Sequence, residues 1–287
     1  MVGKDFERDF KDEFSEAYAK DTFEFYKKIN LKKKYFTDTK VRGLEKIAND
    51  KQKIYLPNHL SHWDYVATWH LFMENDLKMP RIAAGKNLNF PKFLEKYGLN
   101  FRKQGAFFVD RDSLKEGSHD FRRDYNSALR ETFNDLLDNG NDLMIFTEGG
   151  RNYEGEVMPD ESKIKKFTYK SLMNGDLRDL EVVPVAIGYD KRIEEKAFSF
   201  LSKANGRGNI LKKSLYYGSD LAAFAAWPLA RQLGFNKDVT CYINFGEPIN
   251  LKEFEEIPEG RRWSALRKQV VEDVRRLYSE IDFGKTN

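Results

Sequence analysis

Short apolar runs separated by stretches of helical periodicity constrain this chain more than any other feature. The runs are Lys53–Leu56, Arg81–Ala84, Ala106–Val109, Leu143–Thr147, Val182–Ile187 and Thr240–Phe245, most of them bounded by Gly, Pro or charge. Between and after them lie helix candidates at Tyr65–Asn75, Pro91–Lys96, Asp120–Asp138, Ser162–Asn174 and about Arg261–Glu280. The last of these carries Trp263, Leu266, Val270, Val274 and Leu277 on one face. Strands that alternate with helices predict an α/β fold, a central largely parallel or mixed sheet flanked by helices. In such sheets functional residues gather at the C-terminal ends of the strands. With 287 residues, 40% of them hydrophobic, the chain can bury a sizeable core. The expected organisation is an α/β domain over residues 41–287 and an N-terminal helical segment over residues 1–40.

The N-terminal segment is highly charged, with Phe6, Phe10, Phe14, Tyr18, Phe23, Tyr26 and Ile29 at helical spacing. This predicts an amphipathic helix from about Lys4 to Lys34, broken near Asp21. Its apolar face has two readings: docked on the domain's own core, or in contact with a membrane beside Lys27, Lys28 and Lys32-Lys33-Lys34. The two are compatible if the helix lies beside a substrate entrance.

Composition narrows the functional classes. Lys+Arg is 49 against Asp+Glu 46, a net +3, well short of the basic excess usual in a nucleic-acid binder. The single cysteine, Cys241, rules out an internal disulfide framework and a cysteine metal cluster, and fits a reducing compartment. No apolar run approaches the roughly 20 residues of a transmembrane helix, and the charged N-terminus lacks a signal-peptide core. A soluble or peripheral cytoplasmic protein follows; with the aromatic-basic N-terminal helix, a peripheral place on the cytoplasmic membrane face is the expectation.

Chemistry-bearing residues fall at the predicted strand ends. Pro57-Asn58-His59-Leu60-Ser61-His62-Trp63-Asp64 follows the first run, and an apolar helix candidate follows it. His59 therefore sits where a strand ends and a helix begins, with Asp64 in or near the first helical turn. There the helix N-terminus favours a carboxylate, which can hold one imidazole nitrogen while the other takes a proton from a hydroxyl. By itself the spacing is equally that of a capped turn. Gly105-Ala106-Phe107-Phe108-Val109-Asp110-Arg111 and Phe146-Thr147-Glu148-Gly149-Gly150-Arg151 each deliver an arginine as a strand finishes. Glycines allow close backbone approach, and guanidinium forks suit phosphate. Each arginine alone reads as a surface ion pair; a base, an acid and two arginines at one sheet edge read as a site. Residues 197–235 are irregular and basic, then apolar around Trp227. Leu221 to Ala230 reads either as a core helix or as the wall of an apolar channel with an exposed rim.

These blocks, in this order, resemble the glycerolipid acyltransferase superfamily, whose first signature is His-x4-Asp. Asn58-His59 through Asp64 is similar to the first block and Gly105 through Arg111 to the second. Glu148-Gly149-Gly150-Arg151 is similar to the third, and the apolar strand with Pro184 to the fourth. Ile82 through Phe90, containing Lys86, and the Glu-Gly-Gly-Arg form of the third block look most like the glycerol-3-phosphate and dihydroxyacetone-phosphate branch. The likeness covers about residues 53–190. Asn152-Tyr153-Glu154-Gly155 departs from the Ser-Arg-Thr-Gly usual in that branch, and its Lys-x-Gly has no counterpart around Lys165-Lys166-Phe167.

The resemblance implies glycerol-3-phosphate O-acyltransfer from an acyl thioester on coenzyme A or acyl carrier protein, with no resident cofactor or metal. His59 would be the general base and Asp64 its orienting acid. Arg111, Arg151 and Lys86 would bind the acceptor phosphate, Gly149 and Gly150 would admit the substrate, and Glu148 would brace the loop. An oxyanion donor from a backbone N–H near the His59 turn is the further expectation. Lysophosphatidate acyltransfer is the nearest alternative. From other classes stand a metal-dependent hydrolase built on His59, His62 and Asp64, and a non-catalytic lipid-binding module.

Overall fold

A computed structural model describes residues 10–31, 33, 36–89, 92–110, 117–146, 148, 157–158, 166–191 and 239–284. Its centre is β6 (Glu181–Tyr189), buried at every position. A strand covered on both faces must be apolar throughout, which is why this stretch reads as a continuous run and not as an alternation. Parity assigns its side chains: Val182 and Ala186 enter one core, Val183, Val185, Ile187 and Tyr189 the other.

On one side of β6 the sheet is all parallel, in the order β2 (Lys53–Pro57), β5 (Leu143–Met144), β3 (Arg81–Gly85) and β4 (Ala106–Val109). On the other side, β7 (Thr240–Phe245) and β8 (Ile249–Asn250) pair antiparallel with successive parts of β6, and β1 (Asp38–Arg42) pairs parallel with β7. The sheet is thus mixed. Pro184 is tolerated in this central strand because its carbonyl and its missing N–H face the gap between β7 and β8. There Gly246 N–H reaches the Pro184 carbonyl at 2.8 Å.

Every expected strand forms, and β1 and β8 are additional. The Asp38–Arg42 strand has one apolar residue, Val41, and none fully buried, so its sequence carries no apolar run; backbone pairing to β7 makes it a strand. The run expected to reach Thr147 pairs only to Met144 in the ladder, with Ile145 N–H still bonded to the Tyr55 carbonyl at 3.0 Å. Pro91, residues 161–165, the whole stretch 197–235, Phe6, Lys32 and Lys34 lie outside the described residues.

Helices α3 (His119–Asp138), α4 (Lys166–Leu172) and α5 (Glu259–Ser279) cover one face. The segment expected as a helix over Pro91–Lys96 is a 3-10 helix, Lys92–Tyr97. The other face carries α2 (Trp63–Glu74) and α1 (Glu16–Lys28).

Helix α1 runs unbroken through Asp21, contrary to the expected break; the interruption lies at residues 11–15. Ser15 explains it: its hydroxyl accepts the Tyr18 N–H at 3.3 Å, starting the helix, while its own N–H goes to the Lys103 carbonyl at 3.0 Å. Before the cap, Phe10 packs edge-on against Tyr125 of α3, Asp12 holds Arg81, and Phe14 lies under the Arg81 guanidinium. After it, Phe23 and Tyr26 pack on Trp69 and His70 of α2. The segment therefore straps the starts of β3 and β4, joining both faces of the sheet.

The strap closes on Gly98, whose carbonyl accepts the Tyr26 hydroxyl at 2.8 Å. Gly98 has φ +76, and a Cβ there would lie 2.7 Å from Thr22 Cγ2 and 2.8 Å from Tyr26 Oη. Left-handed strain and overpacking then add, so Gly98→Ala should lower stability by about 2–4 kcal/mol. Urea unfolding with an unchanged midpoint would refute this packing.

Candidate active site

The turn between β2 and α2 is built on two buried polar side chains. Asn58 is fully buried and continues the β2–β6 ladder past the end of the strand. Its backbone N–H meets the Val185 carbonyl at 3.3 Å, and its side-chain amide then takes the place of the next rung. Oδ1 accepts the Ile187 N–H at 2.7 Å, and Nδ2 donates to the Ile187 carbonyl at 2.9 Å. Ile187 is fully buried as well, so neither of its backbone groups has water to turn to.

Asp64 occupies the first turn of α2 with no exposure. Its Oδ2 accepts from Leu60 N–H at 2.6 Å, Ser61 N–H at 3.0 Å and His59 Nδ1 at 2.8 Å. Its Oδ1 accepts the Tyr189 hydroxyl at 2.7 Å. The chain thus curls around one carboxylate, and the helix begins as the curl closes, with Trp63 N–H capped by Ser61 Oγ at 3.0 Å.

A carboxylate can only accept, so Nδ1 of His59 carries the proton and Nε2 carries the lone pair of the neutral ring. The imidazole side chain is 13% exposed and rests on Phe146, ring centroids 4.4 Å apart. Its backbone N–H donates to Glu148 Oε1 at 3.2 Å. Base, tautomer-fixing acid and a mostly dry surrounding make the turn competent to take a proton from a hydroxyl.

Because β2 to β6 are parallel on this side, their C-terminal ends share one edge. His59 follows β2, Lys86 follows β3, Asp110 follows β4, Glu148 lies beyond β5 and Tyr189 ends β6. Lys86 Nζ lies 3.2 Å from Asp110 Oδ2, and Asp110 N–H donates to the Tyr125 hydroxyl at 2.7 Å. Arg111, Arg151, Gly149 and Gly150 lie outside the described residues.

Two expectations bear on this turn. The amides of His59, Leu60, Ser61, Trp63 and Asp64 are all bonded within the site itself, to Glu148, Asp64 or Ser61. An oxyanion donor from these amides would have to break a bond that shapes the turn. His62 Nδ1 is 3.0 Å from Tyr65 Oη, and among the described residues no three His, Cys, Asp or Glu side chains cluster as metal ligands. Sequence reasoning missed Tyr189 and Phe146. Parity places Tyr189, two residues beyond Ile187, on the α2 face of a buried strand, and leaves its partner unnamed.

Comparison with known proteins points the same way. A family model described as Acyltransferase matches residues 38–188. The glycerol-3-phosphate acyltransferase of Colwellia psychrerythraea is 34% identical over 220 residues, covering 75% of this chain and 24% of that protein. That of Alteromonas mediterranea is 34% identical over 212 residues, covering 74% and 23%. The chain spans about a quarter of the length of the curated relatives it matches. Among solved structures, the 1-acyl-sn-glycerophosphate (LPA) acyltransferase from Thermotoga maritima superposes with a TM-score of 0.51 at 20% identity, covering 91% of this chain and 78% of that one. The architecture is shared with it.

Asn58→Ala would strand the Ile187 N–H and carbonyl in a dry interior. A loss of about 2–4 kcal/mol is expected, read as the midpoint and slope of guanidinium unfolding; full stability in the variant would contradict the rung assignment.

Proposed function

The chain belongs to the acyltransferase family, and from that premise we propose that it is a glycerol-3-phosphate O-acyltransferase. It moves a fatty acyl group from a thioester, on coenzyme A or acyl carrier protein, to a glycerol-phosphate hydroxyl. The observation that carries the reading is the 2.8 Å bond from His59 Nδ1 to Asp64 at the sheet edge where strand ends converge. Shared sequence with relatives named glycerol-3-phosphate acyltransferase supports the choice of acceptor.

In this reading His59 Nε2 takes the acceptor hydroxyl proton as the oxygen attacks the thioester carbonyl. Asp64 stabilises the imidazolium. The tetrahedral intermediate collapses by breaking the C–S bond, and the departing thiolate recovers the proton from the imidazolium. A thioester is already activated, so the reaction asks for no enzyme nucleophile and no resident cofactor; Cys241 is buried in β7. Arg111 and Arg151 hold the acceptor phosphate. Lys86, paired with Asp110, is the third cation of that group. Glu148 braces the base through the His59 backbone, and Gly149 and Gly150 give the substrate close access to the chain.

The product is amphiphilic, and the reading extends to peripheral attachment at a membrane surface. No helix among the described residues is long and apolar enough to cross one. The apolar face of α1 is used inside the fold. Among the described residues, the half-exposed Tyr97 beside Lys96 is the contact, joined by the lysines that follow α1 in the sequence. Flotation with vesicles containing anionic lipid tests this; a protein that stays at the bottom of the gradient has no such surface.

His59→Ala should reduce turnover on the order of a thousandfold or more, followed by release of free thiol from an acyl thioester. Wild-type turnover in that variant would remove the base assignment. Arg111→Ala and Arg151→Ala should chiefly raise KM for the phosphorylated acceptor; a change confined to the thioester KM would contradict the phosphate assignment. Running the assay with glycerol 3-phosphate, dihydroxyacetone phosphate and lysophosphatidate in parallel identifies the acceptor, and acylation of lysophosphatidate alone would overturn the proposed one.

A further inference from the structure

We propose that Tyr189 is a positioning residue for the base: its hydroxyl, 2.7 Å from Asp64 Oδ1, holds the plane of the carboxylate that orients His59 and moderates that carboxylate's hold on the ring. The inference rests on the assignment of His59 as base.

An aspartate's terminal torsion is broad, so a carboxylate can rock about it at small cost. Here the oxygens do different work. Oδ2 carries the two turn amides and the imidazole; Oδ1 receives Tyr189 from a different element. The phenol donor therefore fixes the carboxylate plane from a second element. It also draws negative charge towards Oδ1, so less is presented to the imidazolium, and the ring keeps a basicity suited to releasing its proton to the thiolate.

The anchor of the donor is rigid. Tyr189 is the last residue of β6, paired with Cys241 in the antiparallel ladder. The next residue, Asp190, is tied to Thr240 by two bonds, 2.9 Å through its side chain and 3.3 Å through its N–H. Its ring stacks on Phe36, 6.0 Å between centroids and 16° between planes. That packing belongs to the ring, so the hydroxyl is the part whose role lies at Asp64. The titratable groups bonded to this turn from other elements, among the described residues, are Glu148 and Tyr189; His62 and Tyr65 lie on the turn and on α2.

The test is Tyr189→Phe in the full chain, which keeps the ring and removes only the donor. Turnover should fall by about 3- to 30-fold with KM for both substrates nearly unchanged, and the acid limb of the kcat profile should move to higher pH by about half a unit or more. The His59 imidazole can be titrated by NMR without turnover, its signal identified among the four histidines by its loss in His59→Ala; its midpoint should move the same way. If His59→Ala is inactive while Tyr189→Phe keeps the wild-type kcat, pH limb and imidazole midpoint, the positioning role is wrong and the base stands. If His59→Ala is active, the base assignment itself fails. A lowered kcat in Tyr189→Phe with both the pH limb and the midpoint unmoved would mark the hydroxyl as structural and would also overturn the proposal.

Discussion

One buried carboxylate holds the functional end of this molecule together. Asp64 receives two backbone amides of the turn that precedes it, the imidazole of His59 and the phenol of Tyr189. Removing any of these donors leaves a buried acceptor short of a partner, and removing the carboxylate leaves several donors stranded at once. The turn cannot relax independently, because Asn58 pins its other end to Ile187. Strand β6 is thus the reference against which the base is placed, through Ile187 on one side and Tyr189 on the other.

That dependence explains why the fold surrounds β6 so completely. A site that relies on two positions of one strand, two residues apart, needs a strand that does not slip. β6 is buried on both faces and paired on both edges, and a one-residue slip would exchange its two cores. The proline that would weaken a central strand falls where the neighbouring chain passes from β7 to β8, so register is kept without a lost rung.

How much of this was legible in the sequence follows from where the information lay. The apolar strands and long amphipathic helices were legible because burial dictates composition residue by residue. The His59–Asp64 pair was legible because both members lie within one turn, five residues apart. β1 was not: Val41 is its single apolar residue, and backbone pairing to a distant strand defines it. The start of α1 was misread because the decisive contact, Ser15 to Lys103, joins residues far apart in the chain. Tyr189 escaped for the same reason, its partner lying 125 residues away. Pattern reports what faces the core; it is silent on which distant polar atoms meet there.

The strap that joins the two faces has a consequence for how the chain reaches this state. Residues 10–28 are synthesised before Trp69, Gly98, Lys103 and Tyr125, the groups they bind. Until those have emerged, Phe10, Phe14, Phe23 and Tyr26 have no apolar surface to cover, and closing the loops between them costs entropy before any contact returns it. An aromatic-rich segment waiting on late partners is a natural client for a chaperone holding nascent chains.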